Sequence, residues 1–515
     1  VTRAALVAAC GALAVLGYAP LAWWPLMPLS LAALAWCVRD ARRTRDAAWL
    51  GFAWGFAHFA CGVGWLRIAL STFGGMPMPL AIFAVGLLVA YMALFPAAAC
   101  ALAARVLPRS RLVALPAAWV LTEWTRLWLF TGFPWASVGY SQVPASPLAG
   151  FAPVGGLFLV SGATVAVACA GVALALAVAR TPPRDGTSTP GGTVRPHTRR
   201  VRPAVLLVAT VAGGAALGAF PWTAGTGRPV TVSLVQGNVE QSLKFTEDGW
   251  RRTVAGYLDA VARARGQLIV LPETALPVLR HELPAELLER FAKPVRARGA
   301  DLLLGVFEND PPGSDRYFNS VITLGSAPEQ RYRKHHLVPF GEFIPLKALL
   351  APIVDAVLHI PLSDQTRGES HQRPLDVAGE RIGMAICYED VFGEEVIRAL
   401  PAATLLVNVS NDAWYGRSWA AEQHRQIAQM RALETGRPML RATNTGVTAA
   451  IDHRGDVVAE LPQFTAGTLE TIVEGRTGAT PYVRFGNAPV VIVAALWLGL
   501  LLARRRAAPV RLASR

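Results

Sequence analysis

The sequence predicts two structures in one chain: a multi-span α-helical membrane domain, and a soluble α/β domain inserted before a last hydrophobic helix. Three observations predict it. Hydrophobic residues make up 53% of the 515 positions and charged residues only 16%, against roughly 25% charged in soluble proteins. The apolar excess is concentrated in long runs before about Phe220 and again after Pro489. Between them, from about Pro229 to Gly475, short apolar strands alternate with amphipathic helices in an ordinary globular mixture.

A bilayer-spanning helix needs about 20 mostly apolar residues. Seven candidates precede the globular segment, near 4–17, 21–37, 48–70, 79–104, 112–130, 154–179 and 204–220, and an eighth covers 489–503. The first two are short and separated only by Tyr18, Ala19 and Pro20, which suits a tight hairpin. A cleaved signal peptide is the other reading of the first run, since Arg3 precedes it, but a second apolar run follows with no polar mature sequence between. Few polar residues interrupt the spans. His58, Glu123 and Arg126 are the noticeable ones, fewer than a transporter would carry, and Glu123 with Arg126 reads as an i,i+3 pair near a helix end. The expected division is a membrane domain over 1–225, a globular domain over 229–475, a last transmembrane helix over 489–503 and a basic tail over 504–515.

The net charge of +14 would suggest nucleic acid in a soluble chain. Here most of the excess is arginine in short loops, so it reads as a topology signal and no nucleic-acid partner is expected. Arg39, Arg42, Arg43 and Arg45 follow the second run, and Arg105, Arg109 and Arg111 the fourth. Arg180 to Arg202 separate the sixth and seventh and flank or fall in a stretch at 181–201 rich in Pro, Gly, Ser and Thr that reads as a loop, and Arg504 to Arg506 follow the eighth. With eight spans, the positive-inside rule puts both termini in the cytoplasm and the globular segment on the opposite side, facing the periplasm or cell exterior.

Strand-like runs in that segment include 230–235, 268–271, 302–307, 320–324, 382–386, 404–409, 446–451 and 468–472, with helical stretches at 250–265, 285–293, 394–399 and 421–435. Ligand groups in α/β folds gather at strand ends, and three places there stand out. One apolar strand runs through Leu271 and Pro272 to Glu273. A second string, Tyr332 to Pro345, contains Lys334, His335, His336 and Glu342. A third strand ends at Cys387, Tyr388, Glu389 and Asp390. Singly, each has an ordinary reading: a helix cap, a solvated lysine, a core cysteine. Jointly they supply what a thiol acyl transfer needs. A thiol must be deprotonated by a neighbouring base, the tetrahedral oxyanion needs a cation or N–H donors, and the thioester is resolved by a second nucleophile. Of six cysteines, only Cys387 lies in the globular segment, so that segment cannot form an internal disulfide.

At these residues the sequence resembles the nitrilase (carbon–nitrogen hydrolase) superfamily, whose pattern is Glu, Lys and Cys in that chain order and whose domain is an α-β-β-α sandwich. The whole chain is similar to the narrower family of apolipoprotein N-acyltransferases. The strings that carry this are Gly132 to Trp135, Gly139 to Gln142, Gln236 to Asn238, Gln241 to Lys244, Lys334 to Glu342, and Asn411 to Gly416. The resemblance implies transfer of a fatty acyl chain from a phospholipid, phosphatidylethanolamine in the family, to the α-amino group of a diacylglyceryl-cysteine at an apolipoprotein N-terminus. It also implies the bacterial inner membrane as location. Carried over, Cys387 is the nucleophile, Glu273 the general base and Lys334 the oxyanion stabiliser. Glu342 is a second acid, and Tyr388 and Glu389 are supporting positions. Phe245 stands where many members carry Trp, which keeps an apolar ring and loses an N–H donor. Phe245, Trp135, Tyr140 and Trp414 are candidate substrate-binding residues, as walls or lids or as interfacial anchors.

No cofactor or metal is expected. Adjacent His335 and His336 cannot both face one ion from an extended strand. Two competing readings stand: a membrane-anchored amidase or nitrilase of small amides, which would need one anchor rather than seven spans, and a non-enzymatic transporter or scaffold, which the intact Glu273, Lys334 and Cys387 disfavour.

Overall fold

The computed structural model describes residues 2–107, 110–179, 196–241, 246–347 and 364–507. They form two compact units, one of Val1–Gly64, Gly86–Phe220 and Asn487–Arg515, the other of Trp65–Val85 and Pro221–Gly486. Trp65–Val85, which the sequence divides between the end of the third apolar run, the start of the fourth and the link between them, packs with the segment Pro221–Gly486.

Helices occupy all eight apolar stretches: Thr2–Ala14, Leu26–Arg39, Thr44–Val63, Met78–Val106, Arg111–Thr125, Ala152–Ala179, Pro196–Ala219 and Ala488–Ala507. Among the described residues, four helices are long and apolar enough to cross a membrane. A fifth is added if Thr44–Val63 and Leu66–Phe73, bent by 55°, count as one span. Thr2–Gly17 and Leu26–Arg39 are apolar but shorter. Leu26–Arg39, with 14 residues, extends about 21 Å at 1.5 Å per residue, against a hydrocarbon core about 30 Å thick. Arg111–Thr125 has 15 residues and the same shortfall.

Small residues let these helices approach closely, as expected where apolar burial cannot distinguish helix from lipid. A Cβ on Gly11 would strike the Trp54 carbonyl, and one on Gly150 the Gly214 carbonyl. The few polar side chains are all engaged. His58 stacks on Trp54 with centroids 4.6 Å apart and lies 3.2 Å from the Tyr18 hydroxyl. Glu123 and Arg126 form the expected i,i+3 pair, at 3.7 Å, and both also hold the loop that follows. Arg126 donates to the Trp135 carbonyl and the Ser137 hydroxyl, each at 2.7 Å, while Glu123 accepts the Val138 N–H at 2.9 Å.

The second unit is the sandwich implied by the resemblance. Its strands are β1 (Ala224–Gln236), β2 (Leu268–Val270), β3 (Leu276–Leu279), β4 (Asp301–Asn309), β5 (Tyr317–Gly325), β6 (Arg331–Arg333), β7 (Leu375–Val377), β8 (Glu380–Ile386), β9 (Leu405–Ser410), β10 (Met439–Thr443), β11 (Thr448–Ile451), β12 (Val457–Leu461) and β13 (Gly467–Thr477). One sheet runs β13-β1-β2-β4-β5-β6, with β3 beside β4, and the other β12-β11-β10-β9-β8-β7. They meet where β1 lies against β10. Outside the first sheet, helices Glu247–Arg263 and Ala285–Arg296 bury Tyr257, Val261, Phe291 and Val295 against Ile269, Leu302 and Leu304. Outside the second, Ala420–Thr435 buries Ala421, Ala428 and Ala432 against Leu406, Met439 and Ile451. The Trp65–Val85 arm joins this unit through aromatic contacts. The Trp65 ring meets Tyr415 at 4.6 Å and its indole N–H donates to Gln423 at 3.2 Å, while Phe73 meets Trp414 edge-on at 5.9 Å.

Candidate active site

Parallel strands set the site. In the first sheet β1, β2 and β4 run parallel, and Glu273 follows the carboxyl end of β2. In the second, β8, β9 and β10 run parallel, so Cys387, Asn411 and Asn444 leave one edge together. This is where α/β sheets place ligand groups. Lys334 comes from the end of β6, its N–H donating to the Asn319 carbonyl on β5 at 2.8 Å.

Glu273, Lys334 and Glu342 are in direct contact. The Lys334 ammonium, fully buried, donates to Glu342 Oε1 at 2.7 Å and Glu273 Oε1 at 3.3 Å. Burial alone would lower its pKa, but the Glu342 and Glu273 carboxylates prevail and hold it well above the ordinary lysine range. Burial raises the Glu342 carboxyl, against the pull of Lys334. Glu273 is positioned from two more sides. Asn319 Nδ2 donates to Oε1 at 2.8 Å and the Asn411 N–H to Oε2 at 2.9 Å. Its neighbour Thr274 sits at φ +45°, and Gly305 on β4 leaves room for this tight turn: a Cβ there would lie 2.5 Å from the Pro272 carbonyl and 2.6 Å from the Thr274 nitrogen.

Cys387 opens a 3-10 turn, Cys387–Val391, at φ +53°, a left-handed conformation that costs a non-glycine residue of order 1–3 kcal/mol and persists only where its surroundings enforce it. Asn408 Nδ2 donates to its carbonyl at 3.0 Å. Burial pushes the thiol well up and the Glu273 charge adds to that, while Lys334 and a hydrogen bond from Ser410 pull down. At rest this is a neutral thiol beside a carboxylate and an ammonium, an arrangement that can pass a proton from sulfur to carboxylate when an electrophile arrives and offer a cation to the oxygen that becomes charged.

Tyr388 and Glu389 lie behind the thiol. Glu389 accepts the Ile386 N–H at 2.7 Å and the Tyr332 hydroxyl at 3.1 Å on one oxygen, and the His335 and His336 N–H groups at 2.6 and 3.1 Å on the other. It thus ties the lysine string to the cysteine turn; burial pushes its pKa up to about 7, against those donors and Lys334. Tyr388 is buried against Phe392, ring centroids 5.1 Å apart. His335 and His336 have separate partners, the Gly368 carbonyl and Glu395.

The four candidate substrate residues fare differently. Phe245 lies outside the described residues. Trp414 is half-buried beside Phe73. Trp135 and Tyr140 belong to the helical unit, each 2% exposed, and are packed inside it rather than presented as open walls. Sequence reasoning missed Asn319, Ser410, Asn411, Asp412, His424 and Arg441 as partners of the site. Asn411 and Asp412 did stand within a quoted string, and Asn319 is a polar residue in an otherwise apolar strand.

The profile of the apolipoprotein N-acyltransferase N-terminal domain matches residues 10–170, and that of carbon–nitrogen hydrolase matches residues 231–482. A curated apolipoprotein N-acyltransferase of Nitrosomonas europaea is 45% identical over 96% of this chain and 95% of its own length. One of Chromobacterium violaceum is 42% identical over 97% of this chain and 93% of its own, and one of Vibrio cholerae 37% identical over 95% and 94%. Among solved structures, a nitrilase-superfamily amidase of Nesterenkonia is 18% identical over 50% of this chain and 95% of its own, with a TM-score of 0.36.

Proposed function

We propose that this chain, which belongs to the apolipoprotein N-acyltransferase family, performs its acyl transfer in two half-reactions through a thioester on Cys387. It is a membrane acyltransferase of lipoprotein maturation; the route, the donor and the orientation are our reading. The observation that carries the route is the contact of one buried lysine with two carboxylates, Glu273 and Glu342, with the Glu273 and Lys334 charges acting on the Cys387 thiol.

In the first half-reaction Glu273 takes the Sγ proton and the thiolate attacks the ester carbonyl of a phospholipid, phosphatidylethanolamine at its sn-1 position. Lys334 and a backbone N–H near Tyr388 hold the oxyanion. The C–O bond breaks, Glu273 returns the proton to the leaving oxygen, and lysophospholipid departs. In the second, the α-amine of the diacylglyceryl-cysteine attacks the thioester. Glu273 takes an amine proton, the C–S bond breaks, and the proton returns to sulfur. Glu342 keeps Lys334 charged throughout. Both substrates are lipids whose chains would cost about 0.8 kcal/mol per CH₂ to expose, which favours catalysis at the membrane.

The arginine pattern supports a catalytic domain on the periplasmic side of the inner membrane with both termini cytoplasmic, an assignment that needs the short helices to complete their crossings. Accessibility of single introduced cysteines to an impermeant thiol reagent tests it. The route is tested by mass spectrometry of purified protein incubated with phosphatidylethanolamine and then a diacylated lipopeptide. A fatty-acyl mass on the Cys387 peptide, discharged by the lipopeptide amine, is expected. Discharge by water alone would favour an amidase-like hydrolase, and near wild-type transfer by Cys387→Ser would refute the thioester.

A further inference from the structure

Behind Cys387 lies a second buried charge cluster that the route above does not use. Asp390, Asp412, His424 and Arg441 are each at most 3% exposed. Arg441 on β10 donates to Asp390 Oδ2 at 3.2 Å, to Asp412 Oδ2 at 2.9 Å and to Asn408 Oδ1 at 2.8 Å. His424, from the helix Ala420–Thr435, places Nδ1 2.9 Å from Asp412 Oδ1 and Nε2 2.8 Å from Asp390 Oδ1. A neutral imidazole has one N–H and would aim a lone pair at one of these carboxylates; only the imidazolium donates to both. Charge balance agrees, since two buried aspartates against Arg441 alone would leave an uncompensated negative charge in a dry site. Gly446 supplies the space, because a Cβ there would strike the Asp412 carboxylate.

Three links run from this cluster to Cys387. Arg441 orients Asn408, whose amide holds the Cys387 carbonyl at 3.0 Å. Asp390 belongs to the same 3-10 turn as Cys387. The Ser410 hydroxyl donates to Asp412 at 3.0 Å and is also the hydroxyl beside the thiol. Strand register makes this possible: Ala385, Asn408 and Arg441 are paired across β8, β9 and β10, so the Arg441 charge sits two residues beneath the end of its strand.

We propose that His424, as a fixed imidazolium held between Asp390 and Asp412, is with Arg441 a positioning residue of the acyl transfer: it cancels the buried aspartate charge facing the thiol and locks the left-handed turn that aims it. Ser410 is the contact element, its hydroxyl turning from Asp412 to sulfur when the thiolate forms. The charged groups that face the thiol are then Glu273, Lys334 and Asp412, and His424 decides whether the third opposes ionisation. This rests on Cys387 being the nucleophile.

The test uses the full-length protein in detergent micelles and two variants, His424→Gln and Ser410→Ala. Three quantities are read: the pH dependence of Cys387 alkylation by iodoacetamide, acyl-enzyme formation in a single turnover, and the melting temperature. His424→Gln retains an amide donor toward Asp390 and removes the charge. Its alkylation midpoint is expected to rise by about one pH unit and acyl-enzyme formation to slow at least tenfold, with KM for phosphatidylethanolamine unchanged. Ser410→Ala, the milder change, is expected to move both readouts in the same direction while melting near the wild-type temperature, which covers the case in which His424→Gln does not fold. Folded variants with the wild-type alkylation profile and acylation rate would overturn the proposal. Failure of the wild-type protein itself to acylate Cys387 would instead overturn the thioester route.

Discussion

Glu389 is where one proton should be visible in the stability of the catalytic unit. Burial pushes its carboxyl up to about 7 from the ordinary 4.5. A carboxyl that holds its proton more tightly in the folded than in the unfolded chain stabilises the fold while protonated. Its contribution is therefore complete below about pH 4.5 and lost as pH rises through about 7. Over that window, at about 1.36 kcal/mol per pH unit, the loss is about 3 kcal/mol, or roughly 6–12 °C of melting temperature for a domain of this size. Protonated Glu389 can satisfy all its neighbours: its O–H turns onto the Tyr332 hydroxyl, and its oxygens still accept from Ile386, His335 and His336. An amide cannot, since its NH₂ must face at least one of those N–H donors, and an unmet buried donor costs about 1–3 kcal/mol. Glu389→Gln should thus be clearly less stable than wild type near pH 5, with the gap closing by about 3 kcal/mol toward pH 8 as wild type loses its proton. Thermal unfolding of both proteins between pH 5 and 8 measures this. Parallel curves, with a constant gap, would show that Glu389 does not titrate there and would refute the reasoning.

Glu342→Gln removes the nearer of the two carboxylates on Lys334, so the ammonium collapses onto Glu273 and occupies the base. Acyl-enzyme formation should fall about 100-fold, the worth of one charge-assisted hydrogen bond, with little change in KM for phospholipid; an unchanged single-turnover rate would contradict it. Gly305→Ala drives a Cβ into the backbone at Pro272 and Thr274 and should lower kcat at least tenfold by displacing Glu273, while wild-type kcat in a folded variant would mean that the turn tolerates the shift. In the helical unit, Arg126→Met strands Glu123 and releases the loop at Trp135 and Ser137, at a cost of about 3–5 kcal/mol. Adding Glu123→Gln should restore part of the lost thermal stability in detergent, and additive losses would argue against the pair.

What the sequence discloses, and what it hides, divides along a physical line. Glu273 and Cys387 were legible because each follows a stretch of strand-like pattern, where a polar residue stands out against apolar neighbours, and Lys334 because it stands in the string Tyr332 to Pro345. Eight apolar runs were legible as helices, yet length decides crossing, and the helices at 26–39 and 111–125 end too soon for the run of apolar letters alone to prove a span. The Trp65–Val85 arm was hidden because its aromatic residues look the same facing lipid as facing Trp414 and Tyr415. β10 was missed for a stronger reason: Arg441 in its centre breaks the apolar pattern that marks a buried strand. That interruption was the informative letter. A buried arginine is tolerated only where acceptors surround it, and its acceptors lie on β9 and on the turns after β8 and β9, 29 to 51 residues away in the chain. Strand register, which the sequence does not print, is what brings them together. The strained φ of Cys387 has the same origin, since no local preference would put a cysteine in the left-handed region. Its conformation is imposed by Asn408 and the turn through Asp390, and both are held by the residue that looked like a defect in a strand.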